Sequence, residues 1–220
     1  MADQPIIIIG AGGHATVVAD ALLAEGLQVL GFVDRDAALT GGRRLGLPVL
    51  GGDDVLAAYS RVEVRLVNGI GGTGAGIVAG EAGLRERVQR RLEADGWHFG
   101  SVRHPDAVVS PHAQVEPGSQ LMAGSVVQPG SRIGQGAIVN TRAVVEHDAT
   151  VGAFAHIAPG AVLCGGVDVG EGAHVGAGAV VRQGVRIGAA AVIGVGAAVV
   201  RDCIGGVWAG VPARLVGGGT

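Results

Sequence analysis

Residues 109–204 read VSPHAQ VEPGSQ LMAGSV VQPGSR IGQGAI VNTRAV VEHDAT VGAFAH IAPGAV LCGGVD VGEGAH VGAGAV VRQGVR IGAAAV IGVGAA VVRDCI. Set out in sixes from Val109, all sixteen hexads begin with Val, Ile or Leu, and the fifth residue of each is Ala, Ser, Val or Cys. Neither a 3.6-residue helix nor an alternating strand generates that period. A hexapeptide repeat is the signature of a parallel β-helix. Each hexad supplies a short strand and a turn, with its aliphatic residue in a triangular core and its small residue under the turn. Three hexads close one coil, so residues eighteen apart stack on the same face, and the run makes a little over five coils.

The composition fits such a coil. Glycine accounts for 42 of 220 residues, against a usual level of roughly 7%. Aromatic residues are 3% of the chain, yet 48% is hydrophobic, so the core is built of small aliphatic groups. That much burial argues against disorder. Glycine turns between flat faces use its access to positive φ. The net charge of −3 argues against a nucleic-acid partner. No apolar run reaches the ~18 residues of a membrane helix, and the start MADQPIIIIG lacks a basic, signal-like segment,. Two cysteines, Cys164 and Cys203, make no disulfide framework, and a cytoplasmic location is expected.

The first hundred residues read differently. IIII (6–9) is a buried strand, and GAGGHA (10–15) turns into a helix to about residue 25. QVLGFVD (28–34), 47–50 and EVRLVN (63–68) are further strands, and DDVLAAY (53–59) is a short helix. GLRERVQRRLEADG (83–96) is amphipathic, with Leu84, Val88 and Leu92 on one face,. Alternating strands and helices predict a parallel sheet. The chain therefore divides into an α/β, half-Rossmann-like domain over 1–104 and an all-β parallel β-helix over 105–220. NGIGGTGAG (68–76) is expected to be a mobile loop. GAGGHA fits G-x-G-x-x-A, and Asp34 stands where a ribose-binding acid would end the second strand,. A full dinucleotide domain needs two such halves, and the length allows one.

Stacking arithmetic points to a catalytic pair in the coil. His147 stands one coil before Gly165. A histidine can take a proton from a nucleophile, and a glycine amide can donate to a developing oxyanion. Asp148 adjoins His147 and could orient it. His156 and His174 are also one coil apart and should stack. His112 and His174 read first as solvated turn residues, Cys164 and Cys203 as packing, and Asn140 as a turn cap.

NTRAVVEHDATVGAFAHIAPGAVLCGGV (140–167), preceded by IIIIGAGGHATVVADAL (6–22), resembles the sialic-acid O-acetyltransferase-like family of bacterial sugar acyltransferases. The resemblance spans nearly the whole chain. It implies a left-handed β-helix, a hand that departs from the right-handed crossover rule, together with a small nucleotide-binding domain. It implies acetyl-CoA as co-substrate, no metal, and a homotrimer with active sites between subunits. A prism faced with Ala, Gly and Val offers apolar surface for such an assembly. The most similar members N-acetylate the 4-amino group of nucleotide-linked 4-amino-4,6-dideoxy sugars, with GDP-perosamine the first expected acceptor.

Residue by residue, the resemblance makes His147 the base and Asp148 its acidic neighbour, which is more often Glu in the family. It sets His156 and Gly165 beside the acetyl thioester and Asn140 at the sugar end. GVWAGVPARLV (206–216) resembles the segment bordering the CoA nucleotide, where Pro212 and Arg214 are candidates,. Gly12, Gly13 and His14 would meet the nucleotide at a helix N-terminus, bordered by Asp34, Arg35, Asn68 and Gly69.

Three rival readings remain at this stage. One is O-acetylation of a sugar hydroxyl, as in sialic acid. Another is a β-helix zinc enzyme using three histidines: His112 and His147 are suitably spaced, but the third position holds Gly152. The last is a non-catalytic nucleotide-binding module.

Overall fold

The structure is a computed structural model that describes residues 4–72 and 83–216. Of the loop expected over 68–76, residues 73–76 lie outside the described residues. Two compact units are present: Met1–Gly71 with Leu84–Pro105, and Asp106–Thr220 with Gly72–Gly83. Among the described residues no helix is long and apolar enough to cross a membrane.

The first unit is a five-stranded sheet. Its strands are β1 (Ile6–Ile9), β2 (Val29–Val33), β3 (Arg43–Arg44), β4 (Leu47–Gly51) and β5 (Arg65–Asn68), in the order β3-β4-β2-β1-β5. All neighbours are parallel except the β3–β4 hairpin. The four isoleucines of β1 are all buried, because a central parallel strand is covered on both faces. Ile7 and Ile9 pack with Leu66, Val88, Leu92 and Trp97. Helix α1 (Gly13–Ala24) buries Ala15, Val18, Ala19 and Leu22. Helix α2 (Leu84–Ala94) buries Val88 and Leu92. Leu84, the first residue of the expected apolar stripe, is 56% exposed at the helix start. The expected helix over 53–59 is a 3₁₀ segment, Asp53–Ala58.

The second unit is the expected left-handed β-helix. Two-residue strands form three faces, each paired in parallel with the strand eighteen residues on: Val126 with Val144, Arg132 with Thr150, and Ile138 with His156. The hexad leaders are buried except the first two, Val109 and Val115. Of the small fifth residues, all but Ala113 are buried.

From Gly118 to Gly196 the fourth hexad residue makes the turn in the left-handed region. Most of these residues are glycine, while Arg142, Asp148, Phe154 and Ala190 adopt φ of 56°, 59°, 54° and 54°. A second glycine class serves close approach instead. A Cβ on Gly152 would lie 2.6 Å from the Glu171 nitrogen, and one on Gly170 would lie 2.5 Å from that of Ala189.

The faces differ outside. The face of Val126–Val127 and Val144–Val145 carries an outward valine row, Val108, Val126, Val144, Val162 and Val180. Its ends are open, Val108 at 64% and Val180 at 46% exposure. On the face of His156–Ile157 the outward residues Gln120, Ile138, His156 and His174 are buried.

The repeat tightens at its end. Val192 pairs with Val207, three residues earlier than the coil period requires. Cys203 pairs with Ile187 across an isolated bridge and stays in the core. Val207–Ala209 then folds back antiparallel on Arg214–Leu215, which covers the edge that Val207–Ala209 would otherwise leave open.

Candidate active site

His147 and Asp148 sit on the turn between the strands Val144–Val145 and Thr150–Val151. Left-handed backbone at Asp148 (φ 59°) turns its carboxylate back onto His147. Asp148 Oδ2 lies 2.9 Å from His147 Nδ1. With Nδ1–H donating to that carboxylate, Nε2 is left as the free base. The pair is solvent-facing, the two side chains being 57% and 73% exposed. Asp tolerates this conformation better than most residues, but glycine would hold it at lower cost.

The His147 ring lies directly over Gly165. A Cβ on Gly165 would be 2.6 Å from both Nε2 and Cε1, so only glycine admits the imidazole. The coil's hydrogen bonding leaves a donor there. Gly166 N–H donates to the His147 carbonyl, Cys164 N–H to that of Val181, and Val167 N–H to that of Cys164. Third-position amides, that of Gly165 included, donate to no backbone carbonyl among the described residues. A base and an unspent N–H therefore share one spot, which is the arrangement acyl transfer requires.

Cys164, expected to pack, is half-exposed instead. It follows the inward Leu163, and alternation turns it outward. Cys203 is buried, and burial, with Asp202 adding and Arg201 opposing, pushes its thiol up to about 11.

His156 is on a different part of the prism. It opens a strand on the third face, and its ring meets that of His174 edge-on at 5.0 Å. His174 is thus buried at 8% exposure, not solvated as expected, because it belongs to a strand of the covered face and not to a turn. The Asn140 carbonyl accepts from Thr141 N–H at 2.7 Å, which orients the amide. Its NH2 group then donates to His156 Nε2 at 3.0 Å. Nδ1 carries the remaining hydrogen and donates to the Gly72 carbonyl at 2.8 Å. Both nitrogens are engaged and the ring is neutral. Within one chain the structure does not bring His147 and His156 together.

Pro212 follows a cis peptide bond in the terminal hairpin. Arg214 is exposed and donates to the Ala213 carbonyl at 3.2 Å. Among the described residues, no group of three or more His, Cys, Asp or Glu could hold a metal ion.

In the first unit the candidates gather at the carboxyl ends of β1, β2 and β5. Gly12 caps α1 with φ −81°, and no side chain caps that end. A Cβ on Gly12 or Gly13 would meet nothing within 4 Å. Neither conformation nor packing demands glycine at Gly12. What the missing side chain gives at both positions is open access to the helix N-terminus. His14 packs by its Cβ against Gly71. Gly69 is a close-approach glycine, where a Cβ would lie 2.6 Å from Ile8 and 2.7 Å from Ala15.

Three expected ligand contacts are spent inside the unit. Asp34 Oδ2 accepts from Ala11 N–H at 2.7 Å, and Oδ1 from Asp36 N–H at 2.9 Å. Arg35 donates through Nε and Nη2 to Asp53 Oδ2 at 3.1 and 3.0 Å, and Arg91 donates to the same oxygen. Burial alone would raise the Asp53 carboxyl, but Arg91 and Arg35 together hold it below its ordinary value. Asn68, fully buried, donates to the Arg85 carbonyl and to Gln89 Oε1 at 3.0 and 3.1 Å, and accepts from Ile70 N–H. Burial brings Arg85 down to about 10, with Glu86 opposing, so it stays charged at neutral pH. Sequence reasoning did not find Gln89, Arg85 or Asp53. The polar stripe Arg85, Gln89, Glu93 at four-residue spacing on α2 was the available signal.

Comparison with known proteins follows the same two-part division. The family described as the PglD N-terminal domain matches residues 5–74, and the bacterial transferase hexapeptide family (six repeats) matches residues 148–183. The acetyltransferase domain of PglB from Neisseria gonorrhoeae FA1090, solved with acetyl coenzyme A, is 36% identical. Its TM-score is 0.86, with 97% of this chain and 100% of that chain covered. PerB from Caulobacter crescentus, solved with CoA and GDP-perosamine, is 40% identical with a TM-score of 0.87, covering 97% and 98%. WeeI from Acinetobacter baumannii AYE is 25% identical with a TM-score of 0.83, covering 97% and 100%. No curated protein matches the chain by sequence.

Proposed function

The chain belongs to the bacterial hexapeptide-repeat sugar acetyltransferases with a PglD-type N-terminal domain, and on that premise we propose that it N-acetylates the 4-amino group of a nucleotide-linked 4-amino-4,6-dideoxy sugar from acetyl-CoA. GDP-perosamine is the first acceptor to test, because PerB, solved with CoA and GDP-perosamine, is 40% identical over nearly the full length. One observation carries the reading: the His147 ring over the Gly165 backbone, 2.6 Å from where a Cβ would be.

Transfer is direct. The C4 amine attacks the thioester carbonyl while His147 Nε2 takes its proton, and Asp148 steadies the imidazolium through Nδ1–H. The Gly165 N–H stabilises the tetrahedral oxyanion. As the carbon–sulfur bond breaks, the imidazolium returns the proton to the thiolate, giving amide and CoA. Cys164 forms no acyl intermediate.

Residues 1–104 bind the nucleotide sugar, with its phosphates at Gly12 and Gly13 against the α1 N-terminus and His14 alongside. Residues 105–220 carry the catalysis, and Pro212 and Arg214 border the CoA nucleotide. Asn140 acts by holding His156 in one tautomer. The assembly is a homotrimer. Support for it comes from the partly open valine row.

Thiol release from acetyl-CoA tests the proposal with GDP-, UDP- and dTDP-linked 4-amino sugars and with free sialic acid. An amino-sugar nucleotide should give the highest kcat/KM. Turnover of a hydroxyl acceptor alone would sink it. His147→Asn should lower kcat by roughly 10²–10⁴-fold.

A further inference from the structure

We propose that Asp34 is a positioning residue for the Gly10–His14 loop and not a ligand of the ribose, an inference that rests on the nucleotide-sugar reading above.

In a dinucleotide-binding unit the acid ending the second strand reaches outward to the ribose hydroxyls. Here the carboxylate turns inward. Oδ2 takes the Ala11 N–H at 2.7 Å and Oδ1 takes the N–H of Asp36 at 2.9 Å. The bond to Ala11 is the second of two successive ties from the loop to the end of β2, after Gly10 N–H to the Val33 carbonyl at 2.7 Å. The next residue, Gly12, already caps α1, and its carbonyl accepts from Thr16 N–H at 3.1 Å. Ala11 is thus the last fixed point before the open amides of the helix start.

A charged acceptor on that amide fixes where Gly12 and Gly13 present theirs. It also consumes Ala11 as a donor, which confines anion binding to the following residues. Asp34 therefore acts on the ligand's phosphates through the loop, without touching the ligand.

The test compares wild type, Asp34→Asn and Asp34→Ala in the intact protein. Hydrogen exchange at Ala11, measured without ligand, should accelerate by about tenfold or more in Asp34→Ala, the size expected for losing a charge-assisted bond. KM for GDP-perosamine should rise by about tenfold or more, with kcat and KM for acetyl-CoA little changed. The same penalty should appear with the 2′-deoxyribose and the 3′-deoxyribose analogue of that substrate. Asp34→Asn keeps a single acceptor oxygen and should fall between.

A penalty that disappears with either deoxy analogue would make Asp34 a ribose ligand and overturn the proposal. So would unchanged Ala11 exchange in Asp34→Ala. If the wild type acetylates no nucleotide sugar, the functional reading fails while the exchange measurement still reports on Asp34.

Discussion

The imidazole of His147 occupies the volume that any side chain at Gly165 would need, for a Cβ there would lie 2.6 Å from Nε2. The two residues are eighteen apart in sequence and adjacent in space. Gly165 is outside the left-handed region, so its backbone accepts other residues. Gly165→Ala should therefore leave the fold intact, with Tm within a few degrees of wild type. It should displace the ring and reduce kcat by roughly 10²-fold or more, toward the loss for His147 itself. Steady-state kinetics with a thermal melt separate the two effects.

Asp148 separates stability from activity in the opposite direction. Its left-handed conformation costs a non-glycine residue on the order of 1–2 kcal/mol, with Asp at the low end. Asp148→Gly should leave Tm equal or higher. It also removes the partner of Nδ1, so kcat should fall. An equal fall in Tm and kcat would contradict this account.

The two cysteines should differ sharply toward thiol reagents. Cys203 is buried with its thiol pushed up to about 11, while Cys164 is half-exposed. Near pH 8 the native protein should show one fast-reacting thiol, lost in Cys164→Ser. On the proposed direct transfer, that variant should keep near-wild-type kcat. Accumulation of an acetylated Cys164 during turnover would overturn direct transfer.

Acid should selectively weaken the bridge from β2 to α2. Arg91 and Arg35 hold Asp53 below its ordinary 3.8. The carboxylate's contribution is therefore full above about pH 4 and is lost as pH falls through the lower, folded-state value. Asp53→Asn should cost roughly 0.5–1 kcal/mol at pH 7, the range of partly exposed pairs. The gap to wild type should close as pH falls through that lowered folded-state value, when melts are compared across pH,.

The β-helix was legible because its constraint is local and repeated. One inward aliphatic and one small residue per turn produce a period visible from Val109 to Val199, and the period alone put His147 beside Gly165. The end was not legible. Cys203 fits the hexad pattern, yet it pairs with Ile187 across a shortened turn. Nothing in a repeat announces where the chain will tighten.

At the sheet edge, sequence identified the strand ends carrying Gly12, Asp34 and Asn68. It could not say what those side chains face. Asp34 and Asn68 both met internal partners, and the partners come from elements up to twenty-three residues away. Likewise the tautomer of His156 depends on Asn140 and Gly72, a pairing no spacing reveals.

The corner that carries His147 has a direction. On the two coils before it, the equivalent position is Pro111 and then Pro129, and proline has no N–H to offer. From His147 onward the position is His147, Gly165, Gln183 and Arg201, each with an amide, about 4.8 Å apart. The histidine thus marks the boundary between a stretch of corner without donors and a stretch with them. An extended molecule laid along this corner meets two different solvents: toward the N-terminus a backbone that can only accept, and toward the C-terminus one whose amides can stabilise negative charge.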